Sequence, residues 1–198
     1  MLSIKKLLQT FILLPIIGLA TGPAMGANFS LVILNVDPLA QNHFVGDEFS
    51  VGLMVSGLEF EDIGAFDMDL SYDDSILSFN NYNMSDELGA VGLDALDISW
   101  GDSGGGLIYL SELSLLSDLS FQSDEFSLAT LSFTGMDVGI SELSISNYTL
   151  GDVVGDPLGV LAAIPGFVQI NPVPIPATAL LLGSGIIGMV GLRRRSRP

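Results

Sequence analysis

Short runs of alternating apolar and polar residues, broken by Gly, Asp and Asn, fill the chain from position 28 to position 170. In Phe49–Val55 the apolar Phe49, Val51, Leu53 and Val55 fall on one face, with Ser50 and Gly52 opposite. In Phe66–Tyr72 the apolar Phe66, Met68, Leu70 and Tyr72 alternate with Asp67, Asp69 and Ser71. A period of two predicts strands with one packed and one wet face. The same reading predicts strands at Phe29–Val36, Ile76–Tyr82, Leu107–Leu113, Phe126–Phe133, Ile140–Tyr148 and Gly166–Ile170. Within Phe126–Phe133 the apolar phase switches, from Phe126 and Leu128 to Ala129, Leu131 and Phe133, so that strand is either bulged or buried on both faces. No segment sustains a helical period, although Ser85–Leu96 has room for a short helix. The pattern predicts an all-β, antiparallel sandwich of the jelly-roll kind.

The two ends read differently. Lys5 and Lys6, the apolar Leu7–Ala20, and the small residues around Ala24-Met25-Gly26 have the order of a secretory signal over 1–27, with cleavage after Gly26 or Ala27. From Val173 to Leu192 runs an uncharged apolar stretch, long enough as a helix to cross about 30 Å of hydrocarbon. The run Arg193, Arg194, Arg195 then holds that end in the cytoplasm. The expected organisation is a signal peptide (1–27), an exported domain (28–170) and a membrane-spanning tail (171–198).

Val173-Pro174-Ile175-Pro176-Ala177, then Leu180 to Gly183-Ser184-Gly185, then the arginines, resemble a PEP-CTERM sorting signal of the VPxPA variant. The resemblance implies recognition by an exosortase-type membrane protease. It also implies an inner-membrane intermediate, and then the cell surface or extracellular matrix of a Gram-negative bacterium that makes exopolysaccharide. Ile175 departs from the Glu of the commonest motif, which bears on the subclass of processing enzyme.

Charge sharpens the picture. All six basic residues lie at the two ends, and all 23 acidic residues lie between Asp37 and Asp156. With no Lys or Arg from Leu7 to Leu192, the domain repels phosphate backbones, which excludes nucleic acid as a partner. Its self-repulsion must be relieved by ions. The chain has no cysteine, so disulfides, thiolate catalysis and Cys-ligated metals are ruled out.

The domain also resembles a cohesin, a fold shared with some cellulose-binding modules. The residues that carry this are Val45-Gly46-Asp47-Glu48-Phe49-Ser50-Val51, Gly64 to Asp73, Ile76-Leu77, Phe126-Ser127-Leu128-Ala129-Thr130-Leu131-Ser132-Phe133 and Leu150-Gly151-Asp152. In cohesins a sheet face binds a Ca²⁺-loaded dockerin, so the resemblance implies a protein-binding β-sandwich. No dockerin-like loop occurs in this chain.

Three patterns invite a chemical reading. Gly101-Asp102-Ser103-Gly104-Gly105 resembles the nucleophile loop of trypsin-like proteases, but His43 is the sole histidine and lies in the wrong context and too near. Asp67, Asp69, Ser71 and Asp73 have the spacing of an EF-hand opening, yet Tyr72 stands where Gly is required and Ser78 where Glu is. Loop carboxylates at Glu61, Asp62, Asp73 and Asp74 are the remaining Ca²⁺ candidates; no other cofactor is expected. The expectation is a non-enzymatic surface protein that binds a protein partner or polysaccharide. The alternatives are a carbohydrate-binding module using Trp100, Tyr82, Tyr109 or Tyr148, and a glycoside hydrolase acting on exopolysaccharide, for which no carboxylate pair stands out.

Overall fold

The computed structural model describes residues 32–59, 61–174, 181–182 and 184–187. Among these residues thirteen strands form two facing sheets. They are β1 (Val32–Asp37), β2 (Ala40–Phe44), β3 (Glu48–Ser56), β4 (Ala65–Ser71), β5 (Leu77–Met84), β6 (Ala95–Asp97), β7 (Gly101–Asp102), β8 (Leu107–Ser114), β9 (Glu125–Gly135), β10 (Gly139–Gly151), β11 (Pro157–Leu158), β12 (Val160–Ile164) and β13 (Gly166–Asn171). One sheet has the order β12-β1-β3-β9-β5; the other runs β2-β13-β10-β4-β8-β6, with β11 on β10 and β7 on β8.

Every strand predicted from alternation that lies within the described residues is present. Val51, Leu53, Val55, Phe66, Met68 and Leu70 all face the core, as their phase requires. The phase switch in β9 is a bulge. Leu53 sits opposite Ala129 but Met54 opposite Ser127, leaving Leu128 as the extra residue. The bulge turns Phe126, Leu128, Ala129, Leu131 and Phe133 all inward. Phe133 anchors the centre, edge-on to Tyr72 and Phe79 at 5.3 and 5.7 Å and stacked on Phe49 at 6.1 Å.

The structure corrects the prediction in three places. The sandwich is not wholly antiparallel, since β12 pairs with β1 and β2 with β13 in parallel. Val160 lies beside Val32, so β12 starts at the end where β1 starts and has to run the same way. Strands β2, β6, β7, β11 and β12 were not legible: β6, β7 and β11 have three residues or fewer, too few to show a period. The β2 sequence AQNHF and the β12 sequence VLAAI lack apolar–polar alternation because both are edge strands. In place of a helix in Ser85–Leu96 there is one 3-10 turn, Asp86–Leu88, whose Glu87 amide donates to the Ser85 hydroxyl. Gly89 and Gly92 at φ +117° and +82° end any helical continuation.

Backbone hydrogen bonds define the two ends of the sandwich. At one end Val45 donates to Asn171, Gly46 to Gly135 and Met136 to Ile76. At the other, Gly64 donates to Gly151 and Ser114 to Gly64, while the Gln122 side chain bridges Ile63 and Glu87. The chain therefore leaves β13 at the first end.

Candidate binding face

The two outer sheet faces differ in chemistry. On the five-stranded sheet β3 and β9 turn out Ser50, Gly52, Met54, Ser127, Thr130 and Ser132, and the edge strand β5 turns out Asn81 and Asn83, a surface of mostly hydroxyl and amide groups. On the eight-stranded sheet, Asp67 and Asp69 of β4 face outward between β8 and β10. The Tyr109 hydroxyl donates to Asp67 Oδ2, and Asn147 Nδ2 donates to Asp69 Oδ2 at 2.7 Å. Asn147 is held there by a bulge in β10, at φ +49° between the pairs Ser146–Asp69 and Thr149–Asp67. Its bond to Asp69 suits a residue in the left-handed region. The hydrogen bond to Asp67 raises the Tyr109 hydroxyl pKa above its ordinary value.

Trp100 lies over Tyr109, ring centroids 5.4 Å apart and tilted by 50°, and is 81% exposed. Beyond the Asp67 row, at the end away from Asn171, the face sinks into a groove of about 350 Å³. Ala65, Leu113 and Gly151, aligned in register across β4, β8 and β10, form its floor. Ile98, after β6, and Pro157, opening β11, form walls. Ile98 is 49% and Leu113 40% exposed. Ile98 is pinned by its amide to Ser111, and Ser99 and Ser111 exchange two more hydrogen bonds. An exposed apolar hollow bordered by a polar residue such as Asp67 is the surface expected of an interaction site. A second hollow of about 500 Å³ lies at the Asn171 end of the same sheet, between Ser71, Tyr72, Asp73, Ile140, Glu142 and Ser144.

The sequence-derived candidates fare unevenly. Glu61 and Asp62 lie before β4 and Asp73 and Asp74 after it, separated by seven strand residues or about 20 Å. The four therefore cannot share one ion. Asp62 is pushed up by partial burial and by Asp118 and Asp152 beside it. Asp73 is held low by the hydroxyl and amide of Ser75. Among the described residues no group of three or more metal-ligating side chains converges. Asp67, Asp69 and Ser71 lie along a strand, not a loop, which explains why the EF-hand spacing fails. His43 contacts Gln41 at 2.7 Å and stacks on Phe49 at 4.2 Å, with no carboxylate orienting it. Ser103 sits in the Gly-rich turn before β8, its amide donating to Leu107. Of the aromatics, Trp100 and Tyr109 form the platform, while Tyr82 spans the sandwich edge to donate to Asp97.

Val173 and Pro174 are exposed just past β13, and Ser184 donates to Leu181, both among the described helical residues 181–182 and 184–187, which include Gly185. Ile175, Pro176, Ala177, Gly183, Arg193, Arg194 and Arg195, and the cleavage positions Gly26 and Ala27, lie outside the described residues. Among the described residues no helix is long and apolar enough to cross a membrane. Residues that the sequence reading missed are Ile98, Leu113, Pro157 and Glu112. Glu112 was detectable, because in Leu107–Leu113 it shares the inward phase of Ile108 and Leu110.

No family model matches the chain, and no curated protein matches it. Solved structures do. A type I cohesin of a scaffoldin from Pseudobacteroides cellulosolvens superposes with a TM-score of 0.59 at 14% identity, over 73% of this chain and 95% of that one. The type I cohesin–dockerin complex of Clostridium thermocellum gives 0.58 at 13% identity, over 72% and 93%. A non-cellulosomal cohesin from the archaeon Archaeoglobus fulgidus gives 0.54 at 17% identity, over 71% and 91%. The described domain thus has the fold of the cohesin modules.

Proposed function

We propose that this chain is an exported, non-enzymatic binding module, and that the outer face of its eight-stranded sheet holds a protein partner rich in Lys or Arg at the contact. The observation that carries this is the apolar groove of Ile98, Leu113 and Pro157, with Asp67 in its lining, Asp69 two residues further along β4, and the exposed Trp100 over the Tyr109 that donates to Asp67. Burying those carboxylates in an interface requires counter-charge, or the cost runs to several kcal/mol. The domain has no Lys or Arg to supply it, and a second copy of the domain has none either. The cation must come from a different partner. Likeness to a cohesin solved together with its dockerin supports a protein as that partner.

The tail reading fits this arrangement. The groove lies at the end of the sandwich opposite Asn171, so a chain tethered through residues 171–198 presents it outward. Sorting by an exosortase-type protease to the surface of a Gram-negative bacterium follows from the Val173–Ala177 motif and the Arg run. A polysaccharide ligand is the second reading, favoured by the Trp100–Tyr109 pair. Their 50° tilt offers one exposed ring, not a flat row.

Pull-down from the host's surface fraction tests the face. Leu113→Asp and Trp100→Ala should each weaken capture by about 30-fold or more, as hot-spot losses do. Ser132→Asp, on the other sheet, should leave it unchanged. Capture that ignores all three variants would refute this face, and binding confined to a glycan array would favour the polysaccharide.

A further inference from the structure

Glu112 is the one buried carboxylate among the described residues. It is 1% exposed, and neither Oε1 nor Oε2 has a hydrogen-bond partner. The residue lies on the stretch of β8 that floors the groove, its side chain in the inward phase. Directly across from it are Phe66 on β4 and Asp97 on β6. The groups facing it are of one sign or none. Strand β4 brings a phenyl ring, β6 brings Asp97, and the 3-10 turn brings Asp86 and Leu88. Strand β5 brings Tyr82, already bound to Asp97 at 2.9 Å. No cationic side chain is within the domain's means.

The cover over Glu112 is weak. β6 has three residues at a sheet edge, and its own Leu96 and the preceding Leu93 are exposed. Ile98, the groove wall, follows directly on from β6, and Trp100, which packs on Tyr109, comes two residues later.

We propose that Glu112 is a proton-operated latch on the binding groove: with the carboxyl protonated, β6 and the 3-10 turn close over it, and with the proton lost to solvent, repulsion from Asp97 and Asp86 loosens β6 and the groove wall it carries. This rests on the groove reading only for its consequence; the latch itself needs no partner. Burial, then Asp97 and Asp86, push the Glu112 carboxyl up to about 7 from an ordinary 4.5. The closed form therefore keeps its proton where an opened one releases it. Closure is strongest below about pH 4.5, weakens as pH rises to about 7, and levels off above that at up to about 300-fold easier opening.

Hydrogen exchange of the full chain in nanodiscs, corrected for intrinsic rates, tests this without any partner. Amides of β6 should open up to about 75-fold more readily at pH 9 than at pH 5, since part of the span already lies below pH 5, while those of β9 stay protected. Glu112→Gln should abolish the difference, and Asp97→Asn should shrink it should the Gln variant fold poorly. Trp100, the sole tryptophan, should shift its emission with a midpoint near 7 in the parent chain alone. Protection of β6 that is the same at both pH values, or equal responses in the parent and Glu112→Gln, would overturn the latch. Neither result bears on whether a partner uses the groove, which the face variants decide separately.

Discussion

Deleting Leu128 should leave the sandwich intact. In the present pairing Leu53 faces Ala129 and Met54 faces Ser127, so Leu128 is the residue that the partner strand does not count. Without it, Phe126, Ser127 and Ala129 would fall into plain in–out–in alternation and the register on both sides would stand. The loss is then one fully buried leucine, worth about 3–5 kcal/mol as transfer plus cavity terms. Deleting Gly52 from β3, the partner strand that has no residue to spare, has no such escape. It would turn out either Phe49 and Val51 or Leu53 and Val55, at least two large buried side chains. At about 2–5 kcal/mol each, that approaches or exceeds the whole stability of an ordinary domain. Urea unfolding followed by far-ultraviolet circular dichroism, in 0.15 M NaCl or so to screen the acidic surface, measures both. The Leu128 deletion should unfold cooperatively with an unchanged slope and a lower midpoint, and the Gly52 deletion should lack a folded baseline. Equal damage from the two deletions would refute the bulge as the device that sets the phase of β9.

Gly64→Ala should cost about 1–3 kcal/mol, because its Cβ would meet the Asp152 carbonyl oxygen at 2.4 Å and Val153 Cα at 2.8 Å, backbone atoms with nowhere to go; thermal melts read this, and a parent-like melting temperature would show that the loop yields. Raising NaCl should stabilise the domain by screening alone. CaCl₂ at matched ionic strength should add nothing, since the candidate carboxylates lie at opposite ends of β4, and a larger melting shift with Ca²⁺ would reveal a site. Replacing Pro174 and Pro176 with Ala keeps the apolar span and should preserve insertion while stopping tail processing; full-length, membrane-bound protein in cells both with and without their exosortase would mean the tail is an anchor only.

The strands were legible because burial on one face of a sheet imposes a period of two, and the domain keeps that period wherever it is not at an edge. The phase step between Leu128 and Ala129 announced either a bulge or a strand buried on both faces, and the pairing with β3 chose the bulge. The edge strands β2 and β12 were not, because an exposed edge does not demand the alternation that would announce it. The charge partition likewise needed no coordinates: a domain without Lys or Arg cannot neutralise its own carboxylates. What tertiary structure decided was proximity across long sequence separations. It divided Glu61 and Asp62 from Asp73 and Asp74, since a strand between two loops holds them apart. It gathered Ile98, Leu113 and Pro157 into one groove, because β4 draws β8 and β10 to its two sides. It also put Asp97 and Asp86 against Glu112. The alternation shows that a carboxyl points inward, but only packing determines that nothing there answers its charge.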